Sequence, residues 1–187
     1  MEVCSVPPAP LRHRMPMFEE IMLPHLPNAY NLARWILRNE QDAEDSVQEA
    51  YLRAYKAFDQ FRGGDGRAWL LTILRNVCYS RLRKNKNVNL HEEFDESVHG
   101  VAEATEPAAG PLQGEVGPEL LRAAMSALPE KMREMIVLHD LEGLAYREIA
   151  EVAGIPIGTV MSRLARARER LHRELLNLLA KESSHGL

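Results

Sequence analysis

One segment divides this sequence into two parts that we expect to fold separately. Residues 91–119 contain eight acidic residues, four glycines and three prolines, and they include no Lys or Arg. Such a stretch buries too little apolar surface to offset the entropy lost on ordering it. The sequence therefore predicts a flexible acidic linker. The expected organisation is a disordered tail at 1–15, a helical domain at 16–90, the linker at 91–118, a second helical domain at 119–181 and a tail at 182–187.

The periodicity of the apolar residues outside the linker is helical, and strict alternation is not evident. With 45% hydrophobic residues the protein has enough apolar material for two small cores. The predicted fold class is therefore all-α, with two small helical domains. The N-terminus lacks the apolar centre of a signal peptide, and no apolar run reaches membrane-spanning length. We expect a cytoplasmic protein without membrane insertion.

The net charge of −4 is unevenly distributed along the sequence. Residues 91–119 contribute −8, so the remaining residues together carry +4. Neither Cys4 nor Cys78 is part of a CxxC pair, and the seven histidines show no metal-ligand spacing. We expect Cys78 to be a helix-packing thiol. No nucleophile–base pattern or phosphate loop is present, so the sequence predicts no enzyme, no cofactor, no metal and no small-molecule substrate.

The stretch LAYREIAEVAGIPIGTVMSRLARARERL (144–171) predicts a helix-turn-helix. Gly154 suits the positive-φ position that ends a helix, and Pro156 suits the first turn of the next. In the second helix Val160, Leu164, Ala167 and Leu171 fall within about 60° of one another and form a packing face. The opposite face carries Ser162, Ala165, Arg166, Glu169 and Arg173. A helix of this kind can lie in the major groove of DNA.

A packing helix is expected upstream of this motif. Pro129 and Glu130 mark its start, and its apolar face is predicted to comprise Met132, Ile136, Val137 and Leu141. Ala145 precedes the first helix of the motif and has no side-chain oxygen to serve as its N-cap. The missing side-chain oxygen costs about 1 kcal/mol.

The N-terminal half contains two amphipathic helices. In the first, Asp42 is the predicted N-cap, and the apolar face is Val47, Ala50, Tyr51, Ala54 and Phe58. The second follows the loop RGGDG (62–66), and its predicted packing face is Trp69, Leu70, Ile73, Leu74 and Val77. Basic residues next to Trp69 also allow stacking on single-stranded nucleic acid, but its neighbours favour a core position.

The C-terminal half resembles region 4 of bacterial sigma factors, in particular the extracytoplasmic-function (ECF) group. The family core GTVxSRxxRAR is matched by Gly158, Thr159, Val160, Ser162, Arg163, Arg166, Ala167 and Arg168. In that family the second helix reads the −35 promoter element. The resemblance implies −35 contacts by Thr159, Met161, Ser162, Arg163, Ala165 and Arg166.

The N-terminal half resembles region 2 of the same family. DAEDSVQEAYLRAYKAF is similar to region 2.2, which docks on the β′ clamp helices of RNA polymerase. The polymerase-binding residues implied here are Asp45, Gln48, Glu49 and Arg53. The loop and the helix after it resemble regions 2.3 and 2.4, where the −10 element is melted and one base is flipped out. The −10 contacts implied are Arg62, Gly63, Gly64, Asp65, Arg67, Arg75, Asn76 and Arg83.

The resemblance covers residues of about 18–88 and 120–176. It implies an alternative sigma factor whose partners are core RNA polymerase (β′ clamp helices and β flap), promoter DNA and an anti-sigma factor. One alternative is an ordinary helix-turn-helix regulator with an N-terminal helical interaction domain. A second is a nuclease using Asp42, Glu44 and Asp45, although a helix start already explains these acids.

Overall fold

Helices are the only regular elements in residues 11–88 and 117–185, the parts of the protein that the computed structural model describes. The all-α prediction is confirmed. The polypeptide forms two compact units, Met1–Lys84 and Asn85–Leu187. Residues 91–116 of the predicted linker and residues 1–10 of the expected N-terminal tail lie outside the described residues.

Four α-helices lie in the described part of the N-terminal half. They are α1 (Leu11–Met22), α2 (Leu26–Leu37), α3 (Glu40–Lys56) and α4 (Gly66–Val88). Two 3-10 turns, Leu23–His25 and Phe58–Gln60, lie between α1 and α2 and between α3 and α4. Helix α1 begins at Leu11, within the segment expected to be a tail.

Helix α3 begins three residues earlier than the sequence suggested. Asn39, not Asp42, is the N-cap, and its side-chain oxygen accepts a hydrogen bond of 2.9 Å from the Asp42 backbone N–H. Asp42 is instead an acid of the first turn, where the helix dipole favours negative charge. Asn and Asp cap about equally well, so composition alone did not separate the two positions.

Small side chains let α2 and α3 pack closely. Ala29 and Ala33 of α2 and Ala43, Ala50 and Ala54 of α3 are fully buried. Val47 and Phe58 are buried as predicted, whereas Tyr51 is half-buried. The Tyr51 hydroxyl donates a 2.8 Å hydrogen bond to the Met22 carbonyl, and burial raises the pKa of Tyr51 to about 12.

The buried face of α4 is rotated relative to the prediction. Leu70, Leu74 and Val77 are buried as expected, but Leu71 and Cys78 complete the face while Trp69 and Ile73 are only half-buried. The Trp69 ring instead lies against Phe61, with 5.2 Å between ring centroids. The buried position of the Cys78 thiol agrees with its predicted packing role.

Helix α1 is fastened to the N-terminal core by an aromatic cluster. Phe18 is buried and meets Tyr51, Tyr55 and Phe58 edge-on, at centroid distances of 6.3, 5.3 and 5.3 Å. Gly66 opens α4 beside α1, and a Cβ there would lie 2.9 Å from Ile21 Cγ2. A side chain at position 66 would therefore have to displace the Ile21 side chain of α1.

Four further α-helices lie in the described part of the C-terminal half. They are α5 (Pro118–Ser126), α6 (Glu130–Ile136), α7 (Tyr146–Ala153) and α8 (Ile157–His185). A π-helical turn, Val137–Leu141, continues α6. Helix α5 begins at the last residue of the predicted linker, and α8 extends through four residues of the predicted C-terminal tail.

The π turn changes which residues of α6 face the core. Glu142 N–H bonds the Val137 carbonyl at 2.9 Å, one residue further back than in an α-helix. The widened turn leaves Leu141, which was predicted to be apolar core, 49% exposed, whereas Leu138 and Leu144 are buried. Met132 is likewise only half-buried. Ile136 and Val137 are buried as predicted.

Arg133 is fully buried in the C-terminal core and ties α6 to the end of α5. Its Nε donates to the Met125 carbonyl at 3.0 Å, and Nη2 donates to the Leu128 carbonyl at 2.6 Å. Met125 lies in the last turn of α5 and Leu128 just after its C-cap, where helix geometry leaves carbonyl groups short of donors. The guanidinium thus caps the carboxyl end of α5.

Replacing Arg133 with Met should therefore destabilise the C-terminal unit by about 1–3 kcal/mol, because the Leu128 carbonyl loses its donor and the Met125 carbonyl keeps only backbone donors. Urea unfolding and hydrogen exchange of the α5 amides measure the effect. Arg122→Met is the matched control, since Arg122 is exposed and pairs with the exposed Glu119 of its own helix. Equal stabilities of the two variants would contradict the capping role.

Candidate nucleic-acid and protein interfaces

The turn between α7 and α8 has the geometry of a helix-turn-helix. Gly154 adopts the left-handed conformation (φ 65°), as predicted, and its N–H bonds the Ala150 carbonyl. Pro156 lies just before α8, and its carbonyl accepts from Thr159 and Val160 at 2.9 and 3.1 Å. At the start of α7, Glu148 accepts a 2.6 Å bond from Ala145 N–H. This bond supplies half of a capping box, and the alanine methyl group is unable to supply the other half.

One face of α8 is buried and the other is presented outward. Val160, Leu164 and Ala167 are buried, Leu171 is half-buried, and Leu175 continues the buried stripe. The residues predicted to read the −35 element are all at least partly exposed. Met161 and Arg166 are exposed, and Thr159, Ser162, Arg163 and Ala165 are intermediate.

Three of these residues form a connected polar line along α8. The Ser162 hydroxyl donates to the Thr159 carbonyl at 3.2 Å. Arg166 folds back along the helix, with Nε 3.2 Å from the Ser162 carbonyl and Nη2 3.5 Å from Ser162 Oγ. This arrangement holds donors on one side of the helix and leaves most of the Arg166 guanidinium available for a polyanion.

On α3 the four predicted polymerase-binding residues share one side but differ in their pairing. Gln48 is exposed. Arg53 forms an i,i+4 ion pair with Glu49. Asp45 Oδ2 accepts from Arg81 of α4 at 3.2 Å, and the same Arg81 nitrogen lies 2.9 Å from Asp42 Oδ1. Arg81 thus joins α4 to the start of α3 and engages the Asp45 carboxylate inside the unit.

Leu52 belongs to this face and was missed by the sequence reasoning. It is 62% exposed and follows Gln48 by one helical turn. The helical spacing could have indicated this exposure, because Leu52 lies outside the predicted apolar face of α3. We name Gln48, Glu49, Leu52 and Arg53 the α3 surface.

The glycine loop before α4 contains two exposed glycines and an aspartate that caps the start of α4. Gly63 and Gly64 have φ of 84° and 94°, a backbone region that only glycine adopts without strain. They are exposed, as are Arg62 and Asp65. However, the Asp65 carboxylate accepts a 2.8 Å bond from Arg67 N–H at the start of α4, so this carboxylate serves the helix start. The rings of Phe61 and Trp69 stand at the two ends of this loop.

Further along α4 the predicted −10 residues follow one stripe. Arg75 lies over the ring of Tyr79, 4.6 Å from its centroid. Asn76 and Arg83 are exposed, and Ser80 links them by accepting from Arg83 at 3.2 Å and donating to the Asn76 carbonyl at 2.7 Å. Arg67 is half-exposed. Tyr79 is thus a further aromatic group on this stripe.

Within the described ranges, no three His, Cys, Asp or Glu residues are grouped so that they could hold a metal ion. No helix in these ranges is both long enough and apolar enough to cross a membrane.

Two family models match the protein, and they match it in order. Sigma-70 region 2 matches residues 21–88, and Sigma-70 region 4 matches residues 119–171. The first contains the α3 surface, the glycine loop and α4. The second contains the helix-turn-helix.

Several sigma factors are similar to this chain over most of its length, across both matched regions. The RNA polymerase sigma-H factor of Pseudomonas aeruginosa is 32% identical over 87% of this chain and 88% of its own length. The ECF RNA polymerase sigma-E factor of Escherichia coli K12 is 36% identical over 75% of this chain and 77% of its own. The ECF sigma factor SigE of Mycolicibacterium smegmatis is 32% identical over 91% of this chain, and the match spans 64% of that longer protein.

Solved structures agree with these matches. The sigma factor RpoE of Bartonella quintana, crystallised with the anti-sigma factor NepR, matches 86% of this chain and 97% of its own with a TM-score of 0.67 and 31% identity. CnrH, solved with the cytosolic domain of CnrY, matches 88% and 90% with a TM-score of 0.60 and 26% identity. Regions 2 and 4 in one polypeptide disfavour an ordinary helix-turn-helix regulator. The protein belongs to the extracytoplasmic-function sigma factors of the sigma-70 family.

Proposed function

We propose that this protein binds core RNA polymerase through the α3 surface and directs it to promoters with two DNA-reading elements. The glycine loop and α4 engage the −10 element, and the N-terminal half of α8 reads the −35 element. The observation that carries the proposal is that each matched sigma region has its own buried core and presents the predicted contact residues outside it. The protein contributes specificity, and the catalysis is performed by polymerase.

The α3 surface has the composition of a protein interface. Leu52 supplies an exposed apolar centre, and Gln48, Glu49 and Arg53 surround it with polar groups. An apolar centre with a polar rim is the usual anatomy of such interfaces. The partner proposed for it is the β′ clamp helices, and the β flap is the partner proposed for the region 4 unit. Asp45 pairs with Arg81 of α4. We therefore propose that Asp45 holds α3 in position and does not itself contact polymerase.

Melting of the −10 element is assigned to the loop and the stripe on α4. Flipping a base out of the stack costs a few kcal/mol, which contacts in the bound state must offset. Arg62 offers a charge beside the two exposed glycines with left-handed backbone. Arg75, Asn76 and Arg83 continue the polar stripe for the phosphates of the separated strand. Arg67 extends the charge at the start of α4.

Two modest contacts on one polypeptide suffice for promoter selection. Once one element is bound, the second binds intramolecularly and gains from the effective concentration that the connection provides. The basic excess of +4 outside residues 91–119 is small, as expected for surfaces that need not hold DNA alone. The acidic segment repels phosphates and is proposed to follow the polymerase surface near the RNA exit path.

Control by an anti-sigma factor is proposed from the relatives. The structural relative from Bartonella quintana was crystallised with the anti-sigma factor NepR. A partner of this class would act by covering the α3 surface or the reading face of α8. The proposed site of action of the protein is the cytoplasm, where polymerase and promoter DNA reside.

Reversing the charge of Glu49 should weaken binding to core polymerase by about tenfold or more. Glu49→Lys places a like charge beside Arg53 and removes the acceptor from the α3 surface. Titration of labelled protein with core polymerase measures the affinity. Glu20→Lys is the matched control, because Glu20 is exposed on α1 and is not one of the residues of the α3 surface. Core affinity unchanged in Glu49→Lys would refute the assignment of this surface.

Truncating Leu52 should lower core affinity at least about fivefold, because a central apolar contact is lost while charge is unchanged. Leu52 is already 62% exposed in the free protein, so Leu52→Ala should leave thermal stability near that of the wild type. Leu26→Ala, at another exposed leucine of the same unit, provides the comparison. If both variants bind core polymerase equally well, Leu52 is not part of the interface.

Removing the guanidinium of Arg166 should reduce promoter-specific transcription in vitro by about five- to 150-fold, the range for one Arg–base contact. The loss should vanish on templates whose −35 element has been scrambled, since the wild type has no contact to lose there. Arg122→Ala, in the exposed part of α5, is the control. Full activity of Arg166→Ala on intact promoters would contradict the assignment of α8 to the −35 element.

A further inference from the structure

Arg168 lies on α8 only two residues from Arg166, yet it is directed away from the polar line formed by Thr159, Ser162 and Arg166. Its Nη2 lies 2.5 Å from Asp140 Oδ1, and its Nε lies 3.2 Å from Asp140 Oδ2. Two parallel N–H···O bonds between a guanidinium and a carboxylate form the strongest and most directional type of ion pair. The arrangement fixes both the position and the orientation of the Arg168 guanidinium.

Asp140 lies in the π turn that follows α6, so the ion pair links α8 to a second element. Tyr146, the first residue of α7, provides a third. The hydrogen bonds to Asp140 raise the pKa of Arg168 against the lowering effect of partial burial, and the nearby Tyr146 adds a smaller effect in the same direction. The ring of His139 meets Tyr146 edge-on at 4.9 Å. Asp140, Tyr146 and Arg168 therefore join the π turn, α7 and α8 at one point.

Helix geometry separates Arg168 from the reading face. At about 100° per residue, Arg168 lies about 160° around the axis from Arg166 and about 120° from Ser162. A duplex placed against Ser162 and Arg166 faces away from Arg168. The charge of Arg168 is in addition already matched by the Asp140 carboxylate, so a phosphate would have to displace a bidentate partner.

We propose that Arg168 is a positioning residue that, through Asp140 and Tyr146, sets the orientation of α8 against α7 and the π turn, so that Thr159, Ser162 and Arg166 meet one DNA groove together. This inference rests on the proposed −35 role of α8. It removes Arg168 from the set of DNA-contacting arginines, although Arg168 stands in the same family motif as Arg166. It also gives the π turn a role, since the widened backbone carries Asp140.

Positioning and phosphate contact predict different salt behaviour. The affinity of holoenzyme assembled with core polymerase is measured on promoter DNA and on scrambled DNA between about 50 and 200 mM salt, the span over which phosphate contacts are expressed. Arg168→Met should keep the salt slope of the wild type and lower the ratio of specific to scrambled binding by roughly tenfold, a coupling typical of residues in one network. A true phosphate contact would lower the slope by about one and weaken both DNAs alike.

Asp140→Asn sharpens the comparison, because Asp140 carries the same sign of charge as a phosphate. Positioning predicts that this variant loses specificity as Arg168→Met does. A phosphate-contacting Arg168 would instead bind DNA at least as tightly once its carboxylate partner is neutralised. The exchanged pair, Asp140→Arg with Arg168→Asp, should recover at least part of the specificity, and no phosphate-contact scheme expects that recovery.

Arg166→Ala is included to separate the two levels of inference. If Arg166→Ala and Arg168→Met both leave specificity unchanged, the −35 role of α8 fails. If Arg166→Ala loses specificity and Arg168→Met lowers the salt slope by about one, the positioning role is overturned and the −35 role stands. Far-UV circular dichroism and thermal unfolding check that each variant is folded. If Arg168→Met unfolds the C-terminal unit, the milder Asp140→Asn decides the question.

Discussion

The function of this sigma factor depends on a geometric constraint of short amphipathic helices, which is that each helix can bury only one narrow face. In α8 the buried stripe of Val160, Leu164 and Ala167 places Ser162 and Arg166 on the opposite side of the helix. In α3 the alanines packed against α2 force Gln48 and Leu52 outward in the same way. The contact surfaces are therefore consequences of the cores, and a rotation of either helix would remove both together.

Charge on such helices is not equivalent to DNA contact. Arg133, Arg81 and Arg168 are each engaged within the protein, the first with helix-end carbonyls and the other two with carboxylates. Arg75 and Arg166 lie along exposed helix surfaces, over a tyrosine ring and beside a serine. The protein thus uses part of its arginine content to orient the helices on which the rest is presented. This division fits the modest basic excess of a protein that binds DNA together with polymerase.

Two glycines and the π turn determine how neighbouring helices join, and so where the contact surfaces lie. Gly154 reverses the backbone between α7 and α8, and Gly66 lets α4 start against α1. In the π turn Leu141 is exposed at a position predicted to be core, and Asp140 lies beside α8, where it pairs with Arg168. Departures from ideal geometry therefore coincide with the points at which elements are joined.

The sequence by itself determined the all-α class, the family, the Gly154 turn and the buried stripe of α8. These depend on local properties: the 3.6-residue period, the freedom of glycine at positive φ, and short motifs. Tertiary structure alone decided that Asn39 caps α3, that Leu71 is in the core in place of Trp69, that Leu141 is exposed, and that Asp45 and Arg168 are held by partners 36 and 28 residues away. Helix phase and long-range pairing arise only when helices pack, because the position of a carboxylate relative to an arginine on another helix is not encoded in the spacing along either one.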